Sequence, residues 1–253
     1  MKTKLKLRVI PQIQVNNFQV VKSKKFDDYR IIGNLEQNIS VYNYRKVDEI
    51  VITDIGASKI GFFNPKILKL LSKNSLMPIT YGGGIDSINK IQECLLSGCD
   101  KVILNTVLFK NPDFIKEAVN YFGSQCIVAS IDFKKVGNEY FIYCHQSNQI
   151  INDTKNTLSL ISKYNVGEYL ITSYDFDGTM KGYDLNILNY LKNIISSNAP
   201  VIINGGCGTP EDMHKAFSNG ADACCASSIF NFTKYSYHDV KKYLLENKLD
   251  VRI

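Results

Sequence analysis

This sequence predicts an α/β fold built as one (β/α)8 barrel. Three observations carry the prediction: landmarks that return at a constant offset, eight short β-branched runs, and helical periodicity between those runs. Asp54 returns as Asp177, Gly82 as Gly205 and Gly98 as Gly220, at offsets of 123, 123 and 122 residues. Two similar halves of four βα units, about 1–123 and 124–253, would close into one barrel. The 253 residues suit a single barrel and leave little for a second domain.

Taken in order, the strands are expected at Arg8–Val15, Glu49–Ile55, Ile79–Tyr81, Lys101–Asn105, Cys126–Phe133, Tyr169–Thr172, Val201–Asn204 and Ala223–Ala226. Each is a short β-branched run flanked by turn residues. Between the first two lies Val21–Gly33, a lysine-rich stretch expected to be a loop. Helical spacing then appears in Ile67-Leu68-Leu70-Leu71, Ile91-Leu95-Leu96, Phe114-Ile115-Ala118-Val119 and Ile187-Leu188-Leu191, each with polar residues on the other face. Strands alternating with helices imply a parallel sheet, and eight units can close it into a TIM barrel. A hairpin is expected to interrupt the pattern, with Lys135-Val136-Gly137-Asn138 turning the chain into Glu139–Cys144.

Composition narrows the functional classes. Apolar residues make up 45% of the chain and charged residues 21%, and no apolar run approaches the roughly 20 residues of a membrane span. The expectation is a cytoplasmic protein without a membrane partner. Seven cysteines form no CxxC pair and no metal-like cluster with the three histidines, so reduced, mostly buried thiols and no metal site are expected. The net charge of +6 is spread along the chain and not gathered into a basic arm. That argues against nucleic acid, and a phosphorylated substrate explains the sign equally well.

In such a barrel the chemistry sits at the C-terminal ends of the strands. Gly82, Gly83 and Gly84 follow the third strand, and Gly205 and Gly206 follow the seventh. Without a Cβ, their N–H groups can approach an anion closely ahead of a helix start. Asn105 and Thr106 end the fourth strand, Ser227 and Ser228 the eighth, and each pair would complete one of two phosphate cradles. Tight βα turns alone would explain either glycine run, but both runs at symmetric positions favour phosphate. Midway between them, Asp132 in Ile131-Asp132-Phe133 suits a general acid or base at the barrel rim. A helix cap or core ion pair is the structural alternative. Its counterpart in the first strand is Gln14, which hydrogen-bonds but does not exchange a proton at ordinary pH.

Several motifs distributed over nearly the whole chain resemble one family. They are Arg8-Val9-Ile10-Pro11, Val20-Val21-Lys22, Val47-Asp48-Glu49, Tyr81-Gly82-Gly83-Gly84-Ile85, Asp100-Lys101-Val102, Phe122-Gly123-Ser124-Gln125, Asp175-Phe176-Asp177-Gly178-Thr179 and Val251-Arg252. The sequence is similar to the cyclase subunit of imidazole glycerol phosphate synthase, a (β/α)8 barrel of histidine biosynthesis that uses ammonia from a glutaminase partner. The resemblance implies a glutaminase docked on the N-terminal barrel face and no cofactor. It also implies an ammonia gate of Arg8, Glu49, Lys101 and Glu168, and a substrate mouth lined by Lys22, Asp54, Thr172, Asp177 and Gly178.

One departure bears on activity. The family uses two aspartates as its acid/base pair, and this chain has Gln14 for the first, with Gln12 where cysteine is usual. A paralogous branch lacking that aspartate is closer around Lys22–Phe26, Tyr29–Gly33 and Thr179–Asp184 and is associated with surface-polysaccharide or flagellar-glycan loci. The resemblance to it implies delivery of glutamine-derived ammonia toward a sugar amidotransferase that turns an acetamido into an acetamidino sugar, with a nucleotide sugar as the acceptor class. The alternatives are a histidine-pathway cyclase making imidazole glycerol phosphate and aminoimidazole carboxamide ribotide, and a non-catalytic docking and conduit protein. The isomerase preceding the cyclase is a further one, though Gln14 counts against it too.

Overall fold

The computed structural model describes residues 6–25, 27–61, 64–195 and 198–252. Eight parallel strands form the barrel: Arg8–Asn16, Ile50–Asp54, Ile79–Gly82, Lys101–Leu104, Ile127–Val136, Glu168–Ser173, Val201–Asn204 and Ala223–Ala226. They are called the first to eighth barrel strands below. The eighth pairs back onto the first through Arg8↔Ala223 to Pro11↔Ala226, which closes the sheet. Closure leaves no unpaired edge among the eight barrel strands.

The expected strands agree with these to within three residues at each end. Where the second was expected to reach Ile55, a helix Ile55–Ile60 begins instead, because Asp54 folds its carboxylate back onto the Ala57 N–H at 2.8 Å and caps it. The expected hairpin is present, with Val136 paired to Glu139, and a third strand, Gln149–Ile151, extends it.

The stretch Val21–Gly33 is the main correction. The chain turns at Asn17 and Phe18, both at positive φ (48° and 65°), and runs back along the first strand as Gln19–Lys24, with Asn16 opposite Gln19. Such a two-residue turn twists in the sense a hairpin needs. A further antiparallel strand, Asp27–Asn34, pairs with it. Register shifts between Val20 and Val21 and between Lys22 and Lys24 break the period-two alternation by which a strand is read from sequence.

Side chains alternate between the two faces of each strand. The outer face packs on the helices in one large apolar core. Inside the barrel a second, smaller apolar cluster of Ile10, Val51, Ile103, Val128, Leu170, Ile202, Ala223 and Cys225 fills the middle layer. One alternation toward the strand starts, four strands carry charge, at Arg8, Glu49, Lys101 and Glu168, and one alternation toward the strand ends stand the polar Gln12, Thr53, Asn105, Ser130, Thr172 and Asn204. The interior is therefore stacked as charge, hydrocarbon and hydrogen-bonding groups.

The last helix, Tyr237–Glu246, locks the closure. The Tyr237 hydroxyl donates to the Val9 carbonyl at 3.1 Å and accepts from the Asp48 N–H at 3.0 Å. Lys241 pairs with Asp48 at 2.6 Å. Beyond the helix, Val251 forms a parallel bridge with Leu7, so the last described turn of chain lies beside the first.

Candidate functional site

At the strand starts, Arg8, Glu49, Lys101 and Glu168 meet in a closed ring. Arg8 reaches Glu49 and Glu168 at 2.7 Å each, and Lys101 reaches the same two carboxylates at 3.0 and 2.9 Å. Every contact in the ring joins opposite charges, and Thr80 donates to Glu49 at 2.7 Å. Burial alone would raise the Glu49 carboxyl, but Lys101 and Arg8 outweigh it and hold the group below its ordinary value. Burial likewise disfavours the Arg8 charge, and the two carboxylates overcome it, so the guanidinium binds its proton more tightly than usual. The four side chains expected as a gate are thus brought together.

Above the apolar layer, the strand ends present Gln12, Gln14, Thr53, Ser130, Asp132, Thr172 and Asn204. Asp132 lies opposite Thr172 in the register of the fifth and sixth strands. Asn105 donates one amide to both the Ser130 carbonyl and Asp132 Oδ2, each at 3.0 Å. Asn204 in turn donates to Thr172 Oγ1 at 3.2 Å. Burial is the main influence on the Asp132 carboxyl. Hydrogen bonds from Asn105 and Thr172 oppose it, the negative charge of Asp177 adds to it, and the group is pushed up to about 7. A carboxyl poised there can both take up and release a proton near neutral pH. No such capacity exists at Gln14, whose Oε1 accepts from both the N–H and the hydroxyl of Ser23 at 3.0 Å.

The mouth is a narrow cleft lined by Gln12, Lys22, Asp177, Gly178, Asn204, Gly205, Gly206, Cys207, Ala226, Ser227 and Ser228. It gathers the second expected cradle and most of the expected mouth. Lys22 Nζ sits 3.9 Å from Asp177 Oδ1, with both side chains buried. The first cradle is arranged differently: Gly82, Gly83, Gly84 and Thr106 do not line this cleft, and Asn105 is committed to Asp132. Asp54 is occupied by its capping role and by the Tyr81 hydroxyl at 3.0 Å, and burial holds its carboxyl above the ordinary value. A larger surface groove between helices Pro65–Asn74 and Ile88–Leu96 receives no strand end, so barrel chemistry does not reach it. Among the described residues no group of three or more His, Cys, Asp or Glu side chains converges to hold a metal ion.

Three residues of this region escaped the sequence reading. Ser23 sits in a lysine-rich run, so its burial against Gln14 carries no local signal. Asn204 ends the seventh strand directly before Gly205, and its strand-end position was the available clue. Cys207 is one of the seven cysteines expected to be mostly buried thiols. It is that, with burial pushing its thiol up to about 12, but it also lines the cleft. All seven cysteines are free.

Comparison with known proteins bears directly on this geometry. The family described as "Histidine biosynthesis protein" matches residues 8–236. A Campylobacter jejuni protein named "Putative imidazole glycerol phosphate synthase subunit hisF2" is 42% identical over 250 residues, which cover 98% of this chain and 99% of that protein. The imidazole glycerol phosphate synthase subunits HisF of Dictyoglomus thermophilum and Chlorobium phaeobacteroides are 38% and 36% identical, each over 97% of this chain and 98% of their own. No helix among the described residues is long and apolar enough to cross a membrane.

Proposed function

This chain belongs to the histidine-biosynthesis protein family and, within it, to the HisF-type cyclase subunits of imidazole glycerol phosphate synthase, and from that premise we propose that it works with ammonia supplied by a partner glutaminase, in amidation of a surface-glycan sugar and not in closure of the imidazole ring. The observation that carries the proposal is Gln14. A cyclase that shuttles protons between two carboxylates has only Asp132 here, and the position of the other is filled by an amide already engaged by Ser23. Loss of a proton-transfer group lowers a rate by roughly 10²- to 10⁴-fold.

In this reading the glutaminase docks on the face bearing the Arg8, Glu49, Lys101 and Glu168 ring. Ammonia crosses the apolar layer to the rim, where Asp132 receives it or assists its addition. The acceptor is a phosphorylated small molecule or nucleotide sugar, with its phosphate on Gly205, Gly206, Ser227 and Ser228 and Lys22 beside it, and a sugar amidotransferase completes the transfer. Gly82, Gly83, Gly84 and Thr106 form a second anion cradle related to the first by the internal repeat, inside one continuous barrel domain. The competing reading, a histidine-pathway cyclase working through Asp132 alone, draws support from the near-neutral carboxyl at that position.

Turnover of the phosphoribulosyl-aminoimidazole precursor to imidazole glycerol phosphate, with excess ammonium salt, separates the two. Free ammonium removes dependence on the glutaminase. The expected result is no turnover by the wild type, with or without partial gain in Gln14→Asp. Robust wild-type turnover would overturn the amidation reading.

A further inference from the structure

We propose that Gln14, besides lacking a titratable proton, is the positioning residue that clamps the end of the Gln19–Lys24 strand, beyond its ladder with the first barrel strand, and so holds Lys22 in the mouth. The bonding is specific. One buried oxygen, Gln14 Oε1, accepts two hydrogen bonds from a single residue, the Ser23 N–H and the Ser23 hydroxyl, each at 3.0 Å. Ser23 directly follows Lys22, so fixing its backbone fixes the point from which the lysine side chain leaves.

The surroundings complete the clamp. Lys22 is only 6% exposed although lysine ordinarily keeps its ammonium in water, and its Nζ faces Asp177 at 3.9 Å. The next residues are held to the same loop: the Lys25 N–H donates to the Asp177 carbonyl at 3.2 Å. Gly178 packs so closely beneath that an added Cβ would lie 2.8 Å from the Ser23 carbonyl. The Gln19–Lys24 strand is paired with the first barrel strand from Asn16↔Gln19 to Gln14↔Val21, and Val20 and Val21 are buried, but that ladder ends one residue before Lys22. Elsewhere on the hairpin, Arg30 lies over the Phe232 ring and Lys59 over Tyr29. Surface contacts of that kind are weak. Beyond the last ladder pair, Gln14↔Val21, the buried Gln14–Ser23 pair is what ties the backbone next to Lys22 to the first barrel strand.

An amide suits this role better than the aspartate it replaces. Its side chain is one methylene longer and spans to the neighbouring strand, and its neutral oxygen accepts two hydrogen bonds without adding a negative charge on the side of the mouth that holds Asp177. The inference concerns the chain without ligand and holds whichever acceptor the ammonia meets, so its failure and that of the proposed function are separate events.

The test compares full-length wild type, Gln14→Met and Gln14→Glu at pH 8 by two readouts. One is hydrogen exchange at the Ser23 amide. The other is the rate of acetic anhydride acetylation at Lys22, measured by mass spectrometry relative to the exposed Lys24. In Gln14→Met, which keeps the length but accepts nothing, both rates are expected to rise by about tenfold, the size expected when two hydrogen bonds are lost together. Gln14→Glu retains the acceptor and is expected to stay within about threefold of wild type. Rates in Gln14→Met equal to wild type would overturn the proposal, as would equal loosening in the Met and Glu variants. Should Gln14→Met fail to fold, Ser23→Ala removes one of the two bonds and is expected to raise Lys22 acetylation by about threefold. An unchanged rate there would overturn it equally.

Discussion

Asp132 carries the clearest pH signature of any single residue in the barrel. Its carboxyl rises from an ordinary 3.8 to about 7, chiefly through burial, so the folded chain binds this proton more tightly than the unfolded chain does. Stability therefore falls as pH rises through that window and is level above it. Asp132→Asn should remove this contribution to the slope, stabilising the protein by up to about 4 kcal/mol at pH 8 and by little near pH 4. Denaturant unfolding of both proteins across that range checks it. Asp132 was visible in sequence because Ile131 and Phe133 flank a lone carboxylate at a strand end. The loss of an acid at Gln14 became meaningful only beside the family pattern, since an isolated glutamine in a strand announces nothing. What Gln14 holds was not legible at all, because Ser23 arrives from a separate strand through a tertiary contact.

Elements were legible in proportion to how local their causes are. The seventh and eighth barrel strands fall where their β-branched and small apolar runs place them, between a proline or glycine turn and the following glycine or serine. The Gln19–Asn34 hairpin did not, since its alternation is broken by bulges and its pairing depends on Asn17 and Phe18 adopting positive φ. Glycines read as phosphate contacts prove to have a packing duty as well. At Gly206, φ is +104° and a Cβ would lie 2.1 Å from the Gly182 carbonyl oxygen; at Gly137, φ is +61° with nothing within 4 Å. Gly206→Ala should thus destabilise by about 3 kcal/mol or more through strain and backbone collision, whereas Gly137→Ala should cost only about 1 kcal/mol. Thermal unfolding of the two variants side by side tests the contrast. Equal effects would mean the loop after the seventh strand relaxes freely.

The closed barrel is held at its seam by interactions far apart in sequence. Tyr237, Asp48, Val9 and Lys241 share one buried network, and it joins the last helix to the first two strands. Tyr237→Phe would strand a buried N–H and a buried carbonyl together, for a loss of about 1–3 kcal/mol. The thermal midpoint should drop by several degrees, roughly 2–4 °C for each kcal/mol in a chain of this size. An unchanged midpoint would show that closure rests on strand pairing alone. The fold class was legible from the recurrence of Asp54, Gly82 and Gly98, but this seam was not, because no local pattern links position 48 to position 237. One consequence follows from Leu7 lying beside Val251: two positions far apart in the chain are near enough to be joined by a short link. A permuted chain with those two neighbours linked and opened at the exposed Gly137 turn is expected to keep the same strand order round the barrel.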